Sequence, residues 1–426
     1  MKKRVLVFPC GSEIGLEVYR SVSFSTHFKL YGGSSVKDHG RFVYENYIDN
    51  LPHIDDDNFA QKINEIIKKY KIDFIFPAHD SVVLKIAQLK ANSKVDCEVI
   101  TSPVETCEIA RSKLKTYETF AGIIPTPKVF KNPVEIETAD LPVFLKPEVG
   151  QGSKGTYLAK SYEDIKFYTT KDISLLALEY LPGKEYTVDC FTKRDGELVF
   201  CLGRERTRIS NGISVNSTEV DDPRFKEIAL TINRTLKFRG VWFFQVKENT
   251  KGDLVLMEIA PRIAGTMGLT RCAGVNLALL SLFDACGYNV EVSKNSYYIE
   301  IDRALQNKYI LDIAYKHVYL DFDDLVIFEN KINPIVISFI FQCINENVKI
   351  HLITKHKEDL HQTLKKYRLS NLFDELIWLG EEEKKFKYIK HKDAIFIDDS
   401  YAERIMVKKE IGIPVFDAHN IEALLH

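Results

Sequence analysis

The residues of this chain best suited to chemistry fall into two sets. The first is centred on Val143-Phe144-Leu145-Lys146-Pro147-Glu148-Val149-Gly150-Gln151-Gly152-Ser153-Lys154-Gly155, continued by Thr156-Tyr157-Leu158-Ala159. This run contains G-x-G-x-x-G, which marks a dinucleotide loop only where the glycines follow a strand and open a helix. Here the residues after Gly155 favour β structure and carry no helix start signal, so the pattern predicts a hairpin flap. Gly150, Gly152 and Gly155, with Ser153 among them, would let backbone N–H groups approach phosphate oxygens without Cβ clashes. Lys146, at the end of the first strand, could place one ammonium on the same phosphates. An ordinary glycine hairpin with a surface lysine has the same pattern. Gln245 and Glu258 belong with this set: each is a single polar residue in an apolar strand. A buried Glu needs a partner or a metal, and an oxygen-ligated Mg2+ beside nucleotide phosphates would meet that need. Ala260-Pro261-Arg262 follows directly.

The second set lies at the ends of four apolar runs in the last quarter of the chain. Val318-Tyr319-Leu320 runs into Asp321, Asp323 and Asp324; Ile350-His351-Leu352-Ile353 ends in Thr354; Ala394-Ile395-Phe396-Ile397 ends in Asp398-Asp399-Ser400; Val415-Phe416 ends in Asp417. Parallel strands that gather carboxylates and a hydroxyl at their carboxyl ends can build a Mg2+ and phosphate site. Aspartates that merely cap helices would read the same way.

The elements that must position these residues can be followed along the chain. Residues 4–8 form a short buried strand, followed by a Gly turn through Gly15 and a helix to residue 22, the start of a parallel α/β domain. Residues 28–33 and 72–76 are further strands, and 58–70 carry a helical stripe at Ile63, Ile66 and Ile67. His79, Asp80 and the Ser34-Ser35 tip lie beyond strand ends, where ligands of open parallel sheets sit, although a plain loop role fits them as well. Residues 111–120 are helical, and Ile124-Pro125-Thr126-Pro127 is an extended connector. The strand at 175–181 runs into Pro182-Gly183-Lys184-Glu185; such a strand–turn could hold adenine through its main chain, with Glu185 accepting from ribose hydroxyls, although on spacing alone Glu185 is only a turn carboxylate. Residues 204–219 read as a polar, arginine-rich loop, either a solvated charge run or a clamp for carboxylate or phosphate. Residues 301–316 read as a helical connector.

Composition bounds the function. The chain has 426 residues, 45% hydrophobic and 28% charged, which predicts a globular protein of two to four domains. A net charge of −2 gives no case for a nucleic-acid partner. No window of about 20 apolar residues predicts a membrane span. The basic start, Met1-Lys2-Lys3-Arg4, precedes too short an apolar run for a signal peptide, and eight scattered cysteines form no C-x-x-C pair. Together these predict a cytoplasmic protein with reduced thiols.

In order and spacing, Lys113, the Lys146–Gly155 loop, Glu179-Tyr180-Leu181-Pro182-Gly183-Lys184-Glu185, Gln245 and Glu258-Ile259-Ala260-Pro261-Arg262 resemble the ATP-grasp ligases over residues 1–300. The resemblance is to their carbamoyl-phosphate-synthase-like and related carboxylate–amine ligase branch. It implies a pre-ATP-grasp parallel α/β domain at 1–110 and an ATP-grasp module at 111–300, with a flap subdomain at about 120–182. It implies ATP and Mg2+ or Mn2+ as cofactors. Lys113 and Lys146 would hold the α- and β-phosphates, and the Gly150–Gly155 loop would close over them. Main chain at Glu179, Tyr180 and Leu181 would bind adenine, and Glu185 ribose. Gln245 and Glu258 would ligate the metal, and Arg262 would stabilise the transferred phosphoryl group. The family usually has Glu-x-Asn-Pro-Arg; Ala260 stands in place of the Asn, so one oxygen ligand is missing.

The last segment resembles the haloacid-dehalogenase-like (HAD) phosphatases, as a Rossmannoid domain at 317–426 after a connector at 301–316. By that resemblance Asp321 is the nucleophile, Asp323 the acid/base, and Thr354 and Lys385 bind phosphate, with Lys385 preferred over Lys384 and Lys387. Asp321, Asp323, Asp398 and Asp399 would hold Mg2+. Leu325 stands where the family usually has Thr. The intervals between Asp323, Thr354 and Asp398 leave no room for a large cap domain. The fold class expected is therefore α/β and α+β multidomain, with a capless C-terminal domain. The function expected is an amide-forming ligase acting through an acyl phosphate on a small-molecule carboxylate and amine, with a phosphatase acting on a related phosphorylated compound. A ligase with a non-catalytic HAD scaffold, or a nucleotide sensor without turnover, remain open beside it. So does a homodimer.

Overall fold

In the computed structural model, which describes residues 1–131, 135–150 and 152–425, two units divide at residue 305: Met1–Leu305 and Gln306–His426. Gln151 of the glycine loop lies outside the described residues.

The first unit opens with strands β1 (Lys3–Phe8), β2 (Phe28–Gly33), β3 (Tyr47–Ile48), β4 (Phe74–Pro77) and β5 (Glu98–Val99). They form a parallel sheet in the order β3-β2-β1-β4-β5. Val5, Leu6 and Val7 are fully buried, so both faces of the central strand are covered. Helix α1 (Glu13–Val22) starts where Ser12 Oγ accepts from the Gly15 amide at 2.9 Å. Helix α2 (Phe59–Tyr70) packs Phe59, Ile63 and Ile67 inward. Helix α3 (Asp80–Ala91) begins at the carboxyl end of β4, which places Asp80 at its first turn. The sequence predicted one helix over 111–120; the chain breaks at Ser112 into α4 (Val104–Arg111) and α5 (Lys113–Phe120), because Ser112 Oγ caps the second helix at the Lys115 amide.

Two antiparallel sheets follow. The smaller contains β6 (Val129–Phe130), β7 (Val143–Pro147), β8 (Tyr157–Ala159) and β9 (Leu175–Glu179), in the order β6-β9-β7-β8. The β7–β8 register, Val143↔Ala159 to Leu145↔Tyr157, makes the glycine loop the tip of a hairpin, as its sequence predicted. The larger sheet holds β10 (Glu185–Thr192), β11 (Leu198–Ser210), β12 (Ile213–Val220), β13 (Gly240–Glu248), β14 (Leu254–Ala260) and β15 (Glu300–Asp302), in the order β14-β13-β10-β11-β12-β15. Its core is anchored by Trp242, fully buried, stacked on Phe238 with centroids 4.0 Å apart and donating Nε1–H to Thr192 Oγ1 at 2.8 Å.

Two expectations fail here. Residues 204–219 are not a loop but most of the β11–β12 hairpin, in which Arg204 is buried against Asp189 and Arg206 pairs with Glu185, while Arg208 stays exposed beside Asp302. Residues 301–316 contain no helix. They begin in β15, which pairs Asn216↔Asp302 with β12, and Arg303 bonds Glu13 Oε2 at 2.5 Å.

The second unit is a parallel sheet built from β16 (His317–Leu320), β19 (Lys349–Thr354), β20 (Glu375–Trp378), β21 (Ala394–Ile397) and β22 (Val415–Phe416), in the order β20-β19-β16-β21-β22. A small hairpin, β17 (Ile327–Phe328) with β18 (Lys331–Ile332), and a helix, Pro334–Asn345, fill the interval between β16 and β19. Val318, Leu320, Ile350, Leu352, Ile395 and Ile397 are fully buried beneath that helix's Val336, Phe339 and Ile340. Among the described residues no helix is long and apolar enough to cross a membrane.

Candidate functional site

In the first unit, two adjoining cavities share a floor on β13 and β14. A narrow cleft of about 170 Å³ is lined by Lys113, Lys146, Gly150, Gly152, Ser153, Glu179, Tyr180, Leu181, Glu185, Gln245 and Glu258. It adjoins a chamber of about 710 Å³ that reaches Ser12, Glu13, His79, Asp80 and Arg262. Residues separated by more than 140 positions are thus brought together.

Sheet register explains the floor. Gln245 and Glu258 are direct cross-strand partners, and Gln245 also faces Thr187 on β10. Their side chains present oxygen donors side by side. Lys146 projects from β7, only 5% exposed, with Nζ 5.6 Å from the Tyr117 ring centroid. Burial, and then the nearby Lys113 cation, lower its pKa to about 8 despite the Glu258 and Glu185 carboxylates. Lys113 is lowered too, first by burial; its ammonium donates to the Glu148 and Gly150 carbonyls at 3.3 and 3.4 Å. The glycine loop meets the tip of the β11–β12 hairpin. A Cβ on Gly212 would stand 2.4 Å from Ser153 Oγ and 2.5 Å from the Gly152 carbonyl carbon, and Gly212 has φ +74°.

Other side chains in the cavities already have partners. Glu185 faces Arg206 Nη1 at 2.7 Å and Lys247 Nζ at 3.8 Å. Arg262 forms a fork with Asp80, Nε to Oδ1 at 2.6 Å and Nη2 to Oδ2 at 2.7 Å. Burial works against the Asp80 carboxylate, yet Arg262 holds its pKa below the usual range. Behind the floor, Asp189 and Arg204 form a fully buried ion pair, with Thr270 Oγ1 donating to Asp189 at 2.6 Å and Arg204 Nε donating to Thr266 Oγ1 at 2.8 Å. Sequence reasoning did not single out Lys247, and it placed Arg206 only within the 204–219 run read as a charge run or a clamp. Lys247 stands two residues beyond Gln245 on one strand face, and Arg206 belongs to the alternating arginines of β11, so strand parity was the signal.

In the second unit, Asp321, Thr354, Asp398 and Asp399 lie at or just beyond the carboxyl ends of adjacent strands. Lys385, 3% exposed, lies between two of the carboxylates, with Nζ 2.8 Å from Asp321 Oδ1 and 2.6 Å from Asp398 Oδ2. Burial, and then the Asp398 charge, push the Asp321 carboxyl up to about 7. Asp321, Asp398 and Asp399 each place an oxygen within 4.8 Å of the others. The Thr354 hydroxyl is buried and has no hydrogen-bond partner. Asp323 faces His356 Nδ1 at 2.9 Å, and His356 Nε2 reaches Thr363 Oγ1 at 3.0 Å. His356 was not anticipated from sequence; it follows Thr354 by two residues. Leu325 is fully buried in the core below.

Known proteins share sequence and fold with this chain. Residues 171–307 match a family model described as "ATP-grasp in the biosynthetic pathway with Ter operon". Among curated proteins, the chain is 25% identical over 170 residues to a D-alanine--D-alanine ligase of Petrotoga mobilis, covering 35% of this chain and 56% of that protein. It is 26% identical over 137 residues to a carbamoyl-phosphate synthase of Methanobrevibacter smithii, covering 29% of this chain and 36% of that protein. The chain therefore spans about half, or less, of the length of these curated relatives. Among solved structures, the biotin carboxylase domain of Hydrogenobacter thermophilus 2-oxoglutarate carboxylase, seen as a dimer with MgADP, ADP and bicarbonate, superposes with a TM-score of 0.59 at 16% identity. It covers 70% of this chain and 74% of that one. The chain thus has an ATP-grasp-like fold, and residues 171–307 match an ATP-grasp family model.

Proposed function

We propose that the first unit is an ATP-dependent carboxylate–amine ligase, and that the second is a Mg2+-dependent HAD-like phosphatase acting on a phosphorylated substrate or product of that ligase. The observation that carries the ligase reading is the convergence of Lys113, Lys146, Gln245 and Glu258 on one cleft beneath the glycine flap. Lys113 and Lys146 would bind the α- and β-phosphates, and the Gly150–Gly155 loop would cover them. Main chain at Glu179, Tyr180 and Leu181 would receive adenine. Glu185, already oriented by Arg206, would accept from ribose. The oxygen donors of Gln245 and Glu258 suit Mg2+. Ala260 supplies no further oxygen, so a single bound ion fits this donor set better than two.

ATP would supply the phosphoryl group that activates a carboxylate. The carboxylate oxygen attacks the γ-phosphorus and ADP leaves; the amine nitrogen then attacks the acyl carbon, phosphate leaves, and the nitrogen gives up a proton. The chain's own contribution is positioning and charge neutralisation, with the flap excluding water from the acyl phosphate. The adjoining chamber suits the acid and amine. Purified protein would be incubated with ATP, Mg2+ and panels of acids and amines, following ADP. Amine-dependent ADP release that Lys146→Met abolishes is expected. ATP binding with no ADP across the whole panel would leave a nucleotide sensor instead.

The phosphatase reading draws on Lys385 bridging Asp321 and Asp398, and on the orphaned Thr354 hydroxyl, which suits a phosphate oxygen. Asp321 would attack phosphorus while Asp323, held by His356, protonates the leaving oxygen. Asp321→Asn should lower phosphate release from ester substrates by roughly 10³-fold or more. Equal release from both proteins would reduce the second unit to a scaffold.

A further inference from the structure

A second cluster in the C-terminal unit lies at the other end of its sheet and has no part in either activity proposed above. His317 opens β16, and His351 sits on β19 beside Tyr319 in register. His391 lies in the segment just before β21. The three rings meet: His317 Nδ1 is 3.0 Å from His351 Nε2, and the His317 and His391 rings stack with centroids 3.5 Å apart. One ring nitrogen from each lies within 4.8 Å of the others. Each flanking ring is oriented from behind. His351 Nδ1 faces Glu375 Oε2 at 2.7 Å, and His391 Nδ1 faces the Tyr319 hydroxyl at 2.7 Å.

We propose that His317, His351 and His391 form a three-histidine site for a divalent transition metal of the zinc type. A carboxylate behind a ligating imidazole accepts its N–H and leaves the other nitrogen to the metal, and a hydroxyl does the same when it accepts. Here Glu375 and Tyr319 occupy the Nδ1 positions, leaving Nε2 of His351 and of His391 for the ion. Metal–nitrogen bonds of about 2.0–2.1 Å at tetrahedral angles put ligand nitrogens about 3.3 Å apart. The 3.0 Å pair is near that spacing already; His391, stacked on His317 with the planes inclined by only 8°, lies outside the strands and would rotate its ring to aim a nitrogen at the ion. The all-nitrogen donor set selects against Mg2+, which prefers oxygen. His317 and His391 are half-buried, so a fourth coordination position faces solvent. Asp321 lies four residues after His317, just beyond β16 and roughly 13 Å away at strand rise, so the nitrogen and oxygen sites would fill independently.

The test uses the full chain, stripped with a chelator and titrated with Zn2+ against a chromophoric competitor, with Co2+ as a visible-absorption probe. One tight equivalent and an intense four-coordinate Co2+ spectrum are expected. His391→Ala and His317→Asn should lose both, and Tyr319→Phe, which keeps the ring, should weaken Zn2+ by roughly 10–100-fold. Asp398→Asn should keep the tight equivalent. Zn2+ should raise the melting temperature of the wild type but not of folded His391→Ala. The proposal is overturned if the wild type holds no tight equivalent, if the histidine variants retain it, or if Asp398→Asn removes it.

Discussion

Lys146 shows how one buried side chain can set the working range of a site. Its amine is held near a pKa of about 8, with burial the main cause, so it is cationic below that pH and neutral above it. ATP affinity measured by calorimetry should therefore fall as pH rises through 8 towards 9. Lys146→Arg, which stays charged, should flatten that profile. Lys146→Met should weaken ATP by about 10–100-fold, the value of a charge-assisted hydrogen bond or two. The Asp189–Arg204 pair is a structural counterpart. Both groups are fully buried, so Arg204→Met alone leaves an uncompensated carboxylate and should cost about 3–5 kcal/mol in urea unfolding. The double variant Asp189→Leu with Arg204→Met should recover much of that loss.

The flap and the β11–β12 hairpin work as a pair of lips. Gly212 needs a left-handed backbone, and any Cβ there would strike Ser153 and Gly152. Gly212→Val should raise the KM for ATP by roughly tenfold or more, from the backbone cost of about 1–2 kcal/mol together with the collision. Far-UV circular dichroism should stay unchanged. The flap hairpin and the Gln245–Glu258 floor were legible in the sequence because each breaks a local rule: glycines between β-prone runs, and lone polar residues inside apolar strands. The β11–β12 hairpin was not, since Arg204, Glu205, Arg206 and Arg208 look like a solvated charge run until their cross-strand partners are known. The 301–316 segment was misread for a related reason. What fixes β15 is its register with Asn216, more than 80 residues earlier. The histidine cluster was equally hidden, because it takes the pairing of β16 with both β19 and β21 to join residues from three separate segments.

At the scale of the whole chain, each unit carries its own core and its own candidate site, and each family of side chains closes within its unit. Lys146→Met should therefore leave phosphate-ester hydrolysis intact, and Asp321→Asn should leave ADP formation intact, when both assays are run on both proteins. If the two activities serve one pathway, mass spectrometry of the ligase product made by Asp321→Asn should find an added phosphate. Within the first unit, Arg262 does not wait as a bare cation. Asp80, at the first turn of α3, already engages Nε and Nη2, and Nη1 donates to the Ile263 carbonyl. Under the proposed function, a phosphoryl group reaching Arg262 would compete with Asp80 for that guanidinium, so the resident carboxylate would tune how firmly the incoming charge is held.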